Sequence, residues 1–308
     1  MKTSTADRAL EVYLTDTRAR VDAVLERWSE RASVFWPSPV PDAVRYSALS
    51  EGKRLRPTLV FAACEALGGD GTVSGVAELA AAVEVVHAYS LVHDDLPCMD
   101  NDDLRRGRPT VHRAFDVQAA TSAGFHMVGL AARVLGSGLD ALHVEPERRR
   151  AIALELFRAA GAGGMIGGQV LDLEAEGRAI SIEALREVHQ RKTGALIAAA
   201  CVIGGLAAGG DAPHDHVAAL RAYGEAIGLA FQIADDVLDA TATSAQLGKT
   251  AGRDAALAKS TFVSVLGVGA ARAEAERLAA QAVDRLRQAA LVSPTLVALA
   301  HYIVTRTN

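Results

Sequence analysis

The sequence predicts an all-α protein built as a bundle of long helices. Hydrophobic residues make up 50% of the 308 residues but aromatic residues only 5%, a balance typical of packed alanine- and leucine-rich helices. Apolar residues recur at helical spacing along most of the chain, and no segment shows a convincing strand pattern. No stretch has the composition of a linker, so residues 1–308 are predicted to form one domain.

Helix boundaries follow from the turn signals. Helices are predicted over residues 5–31, 43–49, 57–67, 74–99, 117–135, 146–161, 164–176, 182–206, 216–239, 255–266, 270–290 and 294–304. The proline- and glycine-rich segments 36–41 and 209–213 predict breaks, and Pro57 suits the first turn of its helix. Because Pro97 should distort the end of the fourth helix, residues 105–113 are predicted to form a mobile loop. Several helices are apolar on all sides, which indicates burial at the centre of the bundle.

Charge and cysteine content exclude several classes of protein. The net charge is −5 and the basic residues form short local clusters, which argues against a nucleic-acid partner. Cys64, Cys98 and Cys201 are isolated and odd in number, as expected of reduced thiols in a cytosolic protein. The N-terminus lacks a signal-peptide pattern, and the apolar run 195–208 is too short to span a membrane. A cytoplasmic location without stable membrane insertion is predicted.

Two acidic clusters lie inside otherwise apolar, helix-forming stretches. Residues 94–100 read DDLPCMD and residues 235–239 read DDVLD. Asp235 and Asp239 lie one helical turn apart on one face. Such carboxylates repel one another and lose hydration, so a cation should compensate, and oxygen-only ligands suit Mg²⁺ bridging to a phosphate. Either cluster alone is also consistent with a solvated helix end, but two facing clusters predict a diphosphate site.

Basic and polar residues accompany the clusters. They are Lys53, Arg56, His87, Arg105, Arg106, Lys192, Lys249 and Lys259. Taken singly, such residues are usually solvated surface charges. Arg105 and Arg106, however, follow the first cluster on a glycine-containing loop, and guanidinium groups bind phosphate in bidentate fashion. His87 shares a helical face with Asp94. Gln169 and Asp172 also share a face, and either join the same cavity or form a buried pair satisfied by a neighbouring helix.

These motifs resemble those of the trans-isoprenyl diphosphate synthases, above all the bacterial short-chain branch that makes farnesyl diphosphate. The matching segments are residues 52–57 (GKRLRP), 87–110, 164–173 (GMIGGQVLDL), 192–194, 231–239 (FQIADDVLD) and 247–254 (LGKTAGRD), in family order over most of the chain. The resemblance implies a helical bundle around a deep central cavity, usually in a homodimer. It also implies Mg²⁺-dependent condensation of isopentenyl diphosphate with an allylic diphosphate, with several ions per site and Mn²⁺ able to substitute.

The resemblance also implies a role for each residue. Mg²⁺ would be held by Asp94 and Asp100 from one wall and Asp235 from the other, with Asp95, Asp236 and Asp239 in support. The allylic diphosphate would be bound by Arg105, Lys192, Thr193, Gln232 and Lys249, and isopentenyl diphosphate by Lys53, Arg56, His87 and Arg106, with Lys259 as a further substrate contact. The acidic pairs 94–95 and 235–236, together with Asp100, Arg105, Lys192 and Lys249, would carry catalysis.

Product length depends on the residues just before the first cluster. Tyr89 and Ser90 precede Asp94 by five and four residues, and one helical turn rises about 5.4 Å, close to one isoprene unit. A tyrosine there would close the far end of the cavity and favour a C15 product. Tyr89 is equally consistent with an ordinary packed aromatic, and the four residues between Asp95 and Asp100 do not separate C15 from C20 enzymes.

One departure from the family keeps other functions open. Phe125 stands where family members carry an acidic residue, a change expected to narrow the cavity or weaken a polar support. Residues 259–263 also differ, a change expected to be tolerated. A non-catalytic regulatory subunit of a prenyl synthase is one alternative, but such proteins lose acidic residues that this chain keeps. A class I terpene cyclase is another, but it needs no second diphosphate pocket.

Overall fold

A computed structural model describes residues 5–32, 36–210, 213–241 and 260–306, and it confirms the all-α prediction. The helices are α1 (Thr5–Ala32), α2 (Val40–Ala48), α3 (Leu55–Ala66), α4 (Ser74–Asp94), α5 (Val111–Ala114), α6 (Val117–Ala141), α7 (Pro146–Ala160), α8 (Met165–Ala175), α9 (Ile182–His189), α10 (Ala195–Ala207), α11 (His214–Thr241), α12 (Phe262–Leu266), α13 (Val268–Gln288) and α14 (Pro294–Thr305). Two short antiparallel strands, β1 (Leu104–Arg105) and β2 (Arg108–Pro109), form a hairpin between α4 and α5.

Side-chain caps and prolines set several helix starts. Asp116 accepts a hydrogen bond from the Ala119 amide at 2.6 Å before α6, and Ser293 accepts from the Leu296 amide at 3.2 Å before α14. Each cap satisfies an amide that has no partner inside its own helix. Prolines stand in the first turns of α2, α7 and α14, where the missing N–H costs nothing.

The core is centred on α4 and α10. Helix α4 packs against α1, α3, α6 and α10, while α10 also packs against α7 and α11. Among the described residues, α4 is long and apolar enough to cross a membrane, yet 83% of its most apolar window is buried inside the protein. Its hydropathy is therefore accounted for by its central position in the bundle.

Three local differences from the predicted elements lie next to the acidic and basic motifs. Helix α4 ends at Asp94 rather than near residue 99, and the predicted loop 105–113 contains the hairpin and α5. The predicted helix 182–206 is interrupted by a π-helical turn, Gln190–Gly194. Of the predicted helix 255–266, only α12 falls within the described residues.

Candidate active site

The first acidic cluster is folded into a tight turn after α4. The Asp100 amide donates to the Asp94 carbonyl at 2.8 Å, and the Asp102 amide donates to the Asp95 carbonyl at 3.2 Å. Pro97 lies within this turn, where it cannot continue the helix. The turn carries Asp100 back beside Asp94, so the two carboxylates share one site although they lie six residues apart.

The hairpin returns Arg105 to the same cluster. Its Nε and Nη2 atoms both donate to Oδ1 of Asp95, at 2.8 and 2.6 Å. Asp95 is only 3% exposed; burial raises the pKa of this carboxyl and the charge of Arg105 offsets part of that rise. Asp95 therefore anchors Arg105 beside the first acidic cluster.

The charged form of Asp94 is disfavoured by its surroundings. Burial raises the pKa of Asp94 to about 6, Lys192 opposes that rise, and the neighbouring charge of Asp100 adds to it. Lys192 itself donates from Nζ to Oδ2 of Asp172 at 2.6 Å. The structure thus brings Lys192 and Asp172 to the first acidic cluster, and a bound cation would relieve the repulsion between Asp94 and Asp100.

The π-helical turn presents Lys192 and Thr193 to the interior. Helix α8 approaches this turn closely at Gly168, where a Cβ atom would collide with the backbone of Lys192. Thr193 donates from Oγ1 to Oε1 of Gln232 on α11 at 2.9 Å. Since Gln232 lies one turn before Asp235, this bond ties the wall that carries Lys192 to the second acidic cluster.

Gln169 on α8 is a buried amide without a partner. Its side chain is only 8% exposed, and neither Oε1 nor Nε2 has a hydrogen-bond partner within the described residues. A buried amide without a partner is costly. The amide is therefore not satisfied by a neighbouring helix, and its membership of the cavity stays a prediction.

The three aspartates of the second cluster differ in their contacts and exposure. Asp236 is buried and accepts from the Phe262 amide at 2.7 Å, so it holds the start of α12. Asp239 is also buried, at 8% exposure. The Asp235 side chain is 44% exposed and accepts from Nη2 of Arg306. Asp235 is therefore the residue of this cluster most available to a ligand.

The predicted isopentenyl diphosphate residues lie together on the adjoining side. Arg106 packs over Gly52, where a Cβ atom would come within 2.5 Å of Nη1. Partial burial lowers the pKa of Lys53 to about 8, the charge of Arg306 adds to that effect, and Asp235 opposes it. Burial likewise lowers the pKa of Arg56 to about 10, against the charge of Glu84. Asp235 thus acts electrostatically on both Lys53 and Arg56.

His87 lies among these basic residues, but its imidazole is uncharged. Burial lowers the pKa of His87 well below its ordinary value, and Arg56 and Arg106 lower it further. A small cavity opens beside His87 and Arg106, between α2, α4 and the hairpin, and Glu84 and Asp95 also line it. The pocket therefore combines guanidinium groups and one imidazole with two carboxylates.

The residues expected to set product length lie on α4 as predicted. Tyr89 is 6% exposed, and burial raises the pKa of its hydroxyl to about 12, with the charge of Asp94 adding to the rise. Ser90 donates to the His87 carbonyl at 2.8 Å. Phe125 is 68% exposed on the outer face of α6, so it does not narrow the interior as expected.

One residue beside Asp235 could not be predicted from the motifs, and two predicted substrate contacts lie outside the described residues. Arg306, at the end of α14, is only 9% exposed and its guanidinium lies 3.9 Å from the centre of the Phe231 ring. It belongs to no motif, and the signal in the sequence is a single arginine after an apolar helix. Lys249 and Lys259 fall in segments that the structure does not describe.

The donor set fits magnesium. Within the described ranges, no group of three or more histidine, cysteine or acidic side chains converges closely enough to hold a metal ion alone. Mg²⁺ commonly uses one or two carboxylates and completes its shell with water and substrate phosphates. Asp94 with Asp100 on one wall and Asp235 on the other offer oxygen ligands of that kind.

Comparison with known proteins identifies the family. The polyprenyl synthetase family model matches residues 38–295. The chain belongs to the polyprenyl synthetase family.

Relatives within this family include enzymes of two product lengths. The chain is 45% identical over 275 residues to farnesyl diphosphate synthase of Escherichia coli, covering 88% of this chain and 91% of that protein. It is 43% identical over 277 residues to the heterodimeric geranylgeranyl pyrophosphate synthase large subunit 1 of Arabidopsis thaliana, covering 88% and 73%. The fold matches geranyltransferase of Helicobacter pylori complexed with magnesium and isoprenyl diphosphate, with a TM-score of 0.76, 29% identity and 99% and 98% coverage.

These findings confirm the predicted family, fold and class of activity. The chain is an enzyme of the short-chain prenyltransferase class, in a magnesium-dependent family whose substrates are prenyl diphosphates. Similar identity to a farnesyl and to a geranylgeranyl synthase leaves the C15 and C20 products undistinguished.

Proposed function

We propose that this protein condenses isopentenyl diphosphate with dimethylallyl and geranyl diphosphate to give farnesyl diphosphate. The observation that supports the proposal is that charged side chains gather in two groups, each suited to a diphosphate. One group contains Asp94, Asp100 and Lys192, and the other contains Lys53, Arg56, His87 and Arg106, with Asp235 acting on Lys53 and Arg56. An enzyme that joins two diphosphates needs both, whereas a cyclase needs only the first.

In this proposal Mg²⁺ is held by Asp94, Asp100 and Asp235, with Asp95 and Asp239 in support. When bound, the metal neutralises charge on the allylic diphosphate; several ions per site are proposed, with Mn²⁺ as a substitute. Lys192, Thr193, Gln232 and Arg105 orient the same diphosphate, and Lys249 and Lys259 are proposed as further contacts. Asp236 is proposed to act indirectly, because its carboxylate holds the Phe262 amide.

The chain's own residues explain how the reaction proceeds. As the allylic C–O bond breaks, negative charge grows on the leaving diphosphate beside Lys192 and Arg105, which stabilise it. The apolar interior excludes water and so protects the allylic cation. Lys53 and Arg56 hold isopentenyl diphosphate so that its double bond attacks the allylic carbon. This attack forms the new carbon–carbon bond and leaves a cation on the adduct. Loss of a proton from that cation to the released diphosphate forms the double bond of the product.

Tyr89 supports a C15 product. It is a buried aromatic side chain on α4 whose hydroxyl lies within the field of Asp94, so the ring lies close below the metal-binding end. A growing chain directed along α4 would meet this ring after about one helical turn. Geranylgeranyl diphosphate, C20, is the alternative product and would require the chain to pass the ring.

A homodimer is also proposed, formed through the outer face of α6. Phe125 and Val128 are 68% and 40% exposed on this face, and Gly129 and Ala132 continue it. Exposed aromatic and aliphatic side chains at helical spacing are typical of a protein interface. We place this dimer in the cytoplasm and propose that each subunit is one synthase domain spanning residues 1–308.

Product analysis tests the proposed function. Purified protein is incubated with Mg²⁺, isopentenyl diphosphate and one of dimethylallyl, geranyl or farnesyl diphosphate, and the products are separated by chain length. We expect farnesyl diphosphate from the first two starters and little extension of the third. Cyclic hydrocarbons formed without isopentenyl diphosphate would instead indicate a cyclase, and turnover only in the presence of a second synthase would indicate a regulatory subunit.

A further inference from the structure

Arg54 forms a buried polar cluster at the turn that carries Lys53 and Arg56. Its Nε donates to Oδ1 of Asp22 on α1 at 2.9 Å, and its Nη1 donates to Oε1 of Glu84 on α4 at 2.9 Å. Its Nη2 donates to the Ala48 carbonyl at the end of α2 at 3.0 Å. One guanidinium, 4% exposed, therefore connects three helices to the start of a fourth.

The backbone of this turn is strained at Arg54. Arg54 caps α3 in the left-handed region, with φ 49° and ψ 37°, a conformation that is unfavourable for a non-glycine residue. Such residues persist where the surrounding structure fixes them, often at functional sites. Here the three hydrogen bonds of the side chain fix the turn, and its carbonyl accepts from the Thr58 amide and hydroxyl at 3.0 and 2.9 Å.

Lys53 and Arg56 flank the buried Arg54 and are more exposed than it is. Lys53 is exposed and lies in the field of Arg306 and Asp235. Arg56 is partly exposed, and its buried Nε atom has no hydrogen-bond partner in the described chain. Both side chains leave the backbone close to the left-handed residue Arg54, so their directions depend on its conformation.

Glu84 has a second role in this cluster. It is 3% exposed, and its charge favours the protonated forms of Arg56 and Arg106 as well as that of Arg54. A buried cationic pocket needs such a counter-charge, because several unpaired guanidinium groups would repel one another. Glu84 lies one helical turn before His87, and both residues line the pocket, so the counter-charge lies among the cationic groups.

We propose that Arg54, anchored by Asp22 and Glu84, is a positioning residue that fixes Lys53 and Arg56 for isopentenyl diphosphate. This inference rests on the proposed function, since it concerns one of its two diphosphate subsites. The allylic subsite uses Lys192, Thr193 and Gln232 from other elements. Loss of the anchor should therefore weaken binding of one substrate and leave the other unchanged.

The test compares Arg54→Lys with a matched control, Arg27→Lys. Lysine keeps the positive charge but cannot reach three partners. Arg27 donates to Glu78 at 2.8 Å and also joins α1 to α4, away from the turn. For Arg54→Lys we expect about a tenfold higher KM for isopentenyl diphosphate, a KM for geranyl diphosphate within about twofold of wild type, and a matching loss of isopentenyl diphosphate affinity in calorimetry without Mg²⁺.

Folding of each variant is checked by circular dichroism. If Arg54→Lys fails to fold, Arg54→Gly replaces it, because glycine adopts the left-handed conformation without strain, and the same rise in KM is expected. An unchanged KM and affinity, an equal rise for both substrates, the same effect in Arg27→Lys, or unfolding of both Arg54 variants would each overturn the inference. Wild-type protein that forms no condensation product would instead refute the proposed function, and the inference with it.

Discussion

The six aspartates of the two clusters differ in their contacts. Asp95 is held by Arg105 and Asp236 by the Phe262 amide. Burial raises the pKa of Asp94, whereas Asp235 is partly exposed and paired with Arg306, and we propose these two as the residues that meet the substrate. Sequence spacing predicts that all six lie near the site, but hydrogen-bond partners from distant parts of the chain decide which of them face the ligand.

Lys53 should make isopentenyl diphosphate binding depend on pH. Its pKa is lowered to about 8 by partial burial and by Arg306, so the ammonium form is present below pH 8 and is lost above it. Affinity for the diphosphate should fall about tenfold by pH 9, one unit above this pKa. Calorimetric titration at pH 7 and 9 measures the change. Lys53→Arg, which stays charged, should flatten it, and an identical decrease in both proteins would contradict the assignment.

Arg306 should compete with Mg²⁺ for Asp235. The ion pair is part-exposed on the Asp235 side, so its strength is of the order of 1 kcal/mol or less. Arg306→Gln should therefore lower the Mg²⁺ concentration for half-maximal turnover about threefold, measured at saturating isopentenyl diphosphate. Arg287→Gln removes an exposed surface pair with Asp284 on α13 and serves as the control. A higher or unchanged Mg²⁺ requirement in Arg306→Gln would exclude this competition.

Among the helices, α4 is the one that we propose to limit product length. Tyr89 is buried just before Asp94, and removal of its ring should open about one more helical turn. Tyr89→Ala is expected to convert most product from C15 to C20 with geranyl diphosphate as starter, measured by chromatography. Tyr89→Phe keeps the ring volume and should keep C15. Unchanged product length in Tyr89→Ala would remove this role.

Helical periodicity predicted most elements because each long helix buries one continuous apolar face. Three details required tertiary contacts that periodicity does not encode. The π-helical turn depends on the approach of α8 at Gly168, and the end of α4 depends on the bond from the Asp100 amide to Asp94. The hairpin forms where Arg105 returns to Asp95. Each exception lies where a functional side chain is placed.

For the whole molecule, the proposed dimer predicts a change in mass. Phe125→Glu places a charge on the exposed face of α6 and should convert a dimer to monomers in sedimentation experiments, because burial of an unpaired carboxylate is costly. Val12→Glu alters an equally exposed residue, 66% exposed on α1, and should leave the dimer intact. A monomeric wild type, or a dimeric Phe125→Glu protein, would show that α6 is not the interface.

Part of the site could be predicted from the sequence. The motifs predict one shared interior for Lys53, Arg56, His87, Arg106, Lys192 and Asp235. Charge effects link Asp235 to Lys53 and Arg56, Arg106 to His87, and Lys192 to Asp94. Arg306 and the Arg54–Glu84 pair could not be assigned from the sequence, because their roles arise only when the end of α14, the start of α3 and the middle of α4 pack together. Motifs identify ligands of the substrate, whereas their supports come from the packed bundle.

The most direct test of the whole account is the rate at which geranyl and isopentenyl diphosphate condense in four proteins: wild type, Asp94→Asn, Asp235→Asn and the double variant. If Asp94 and Asp235 bind the same metal–diphosphate group, each single substitution should lower turnover at least about 10²-fold. The double variant should then be little worse than the poorer single one, because the pair acts as a unit. Either single variant with more than about a tenth of wild-type turnover, or losses that multiply independently, would contradict a shared site.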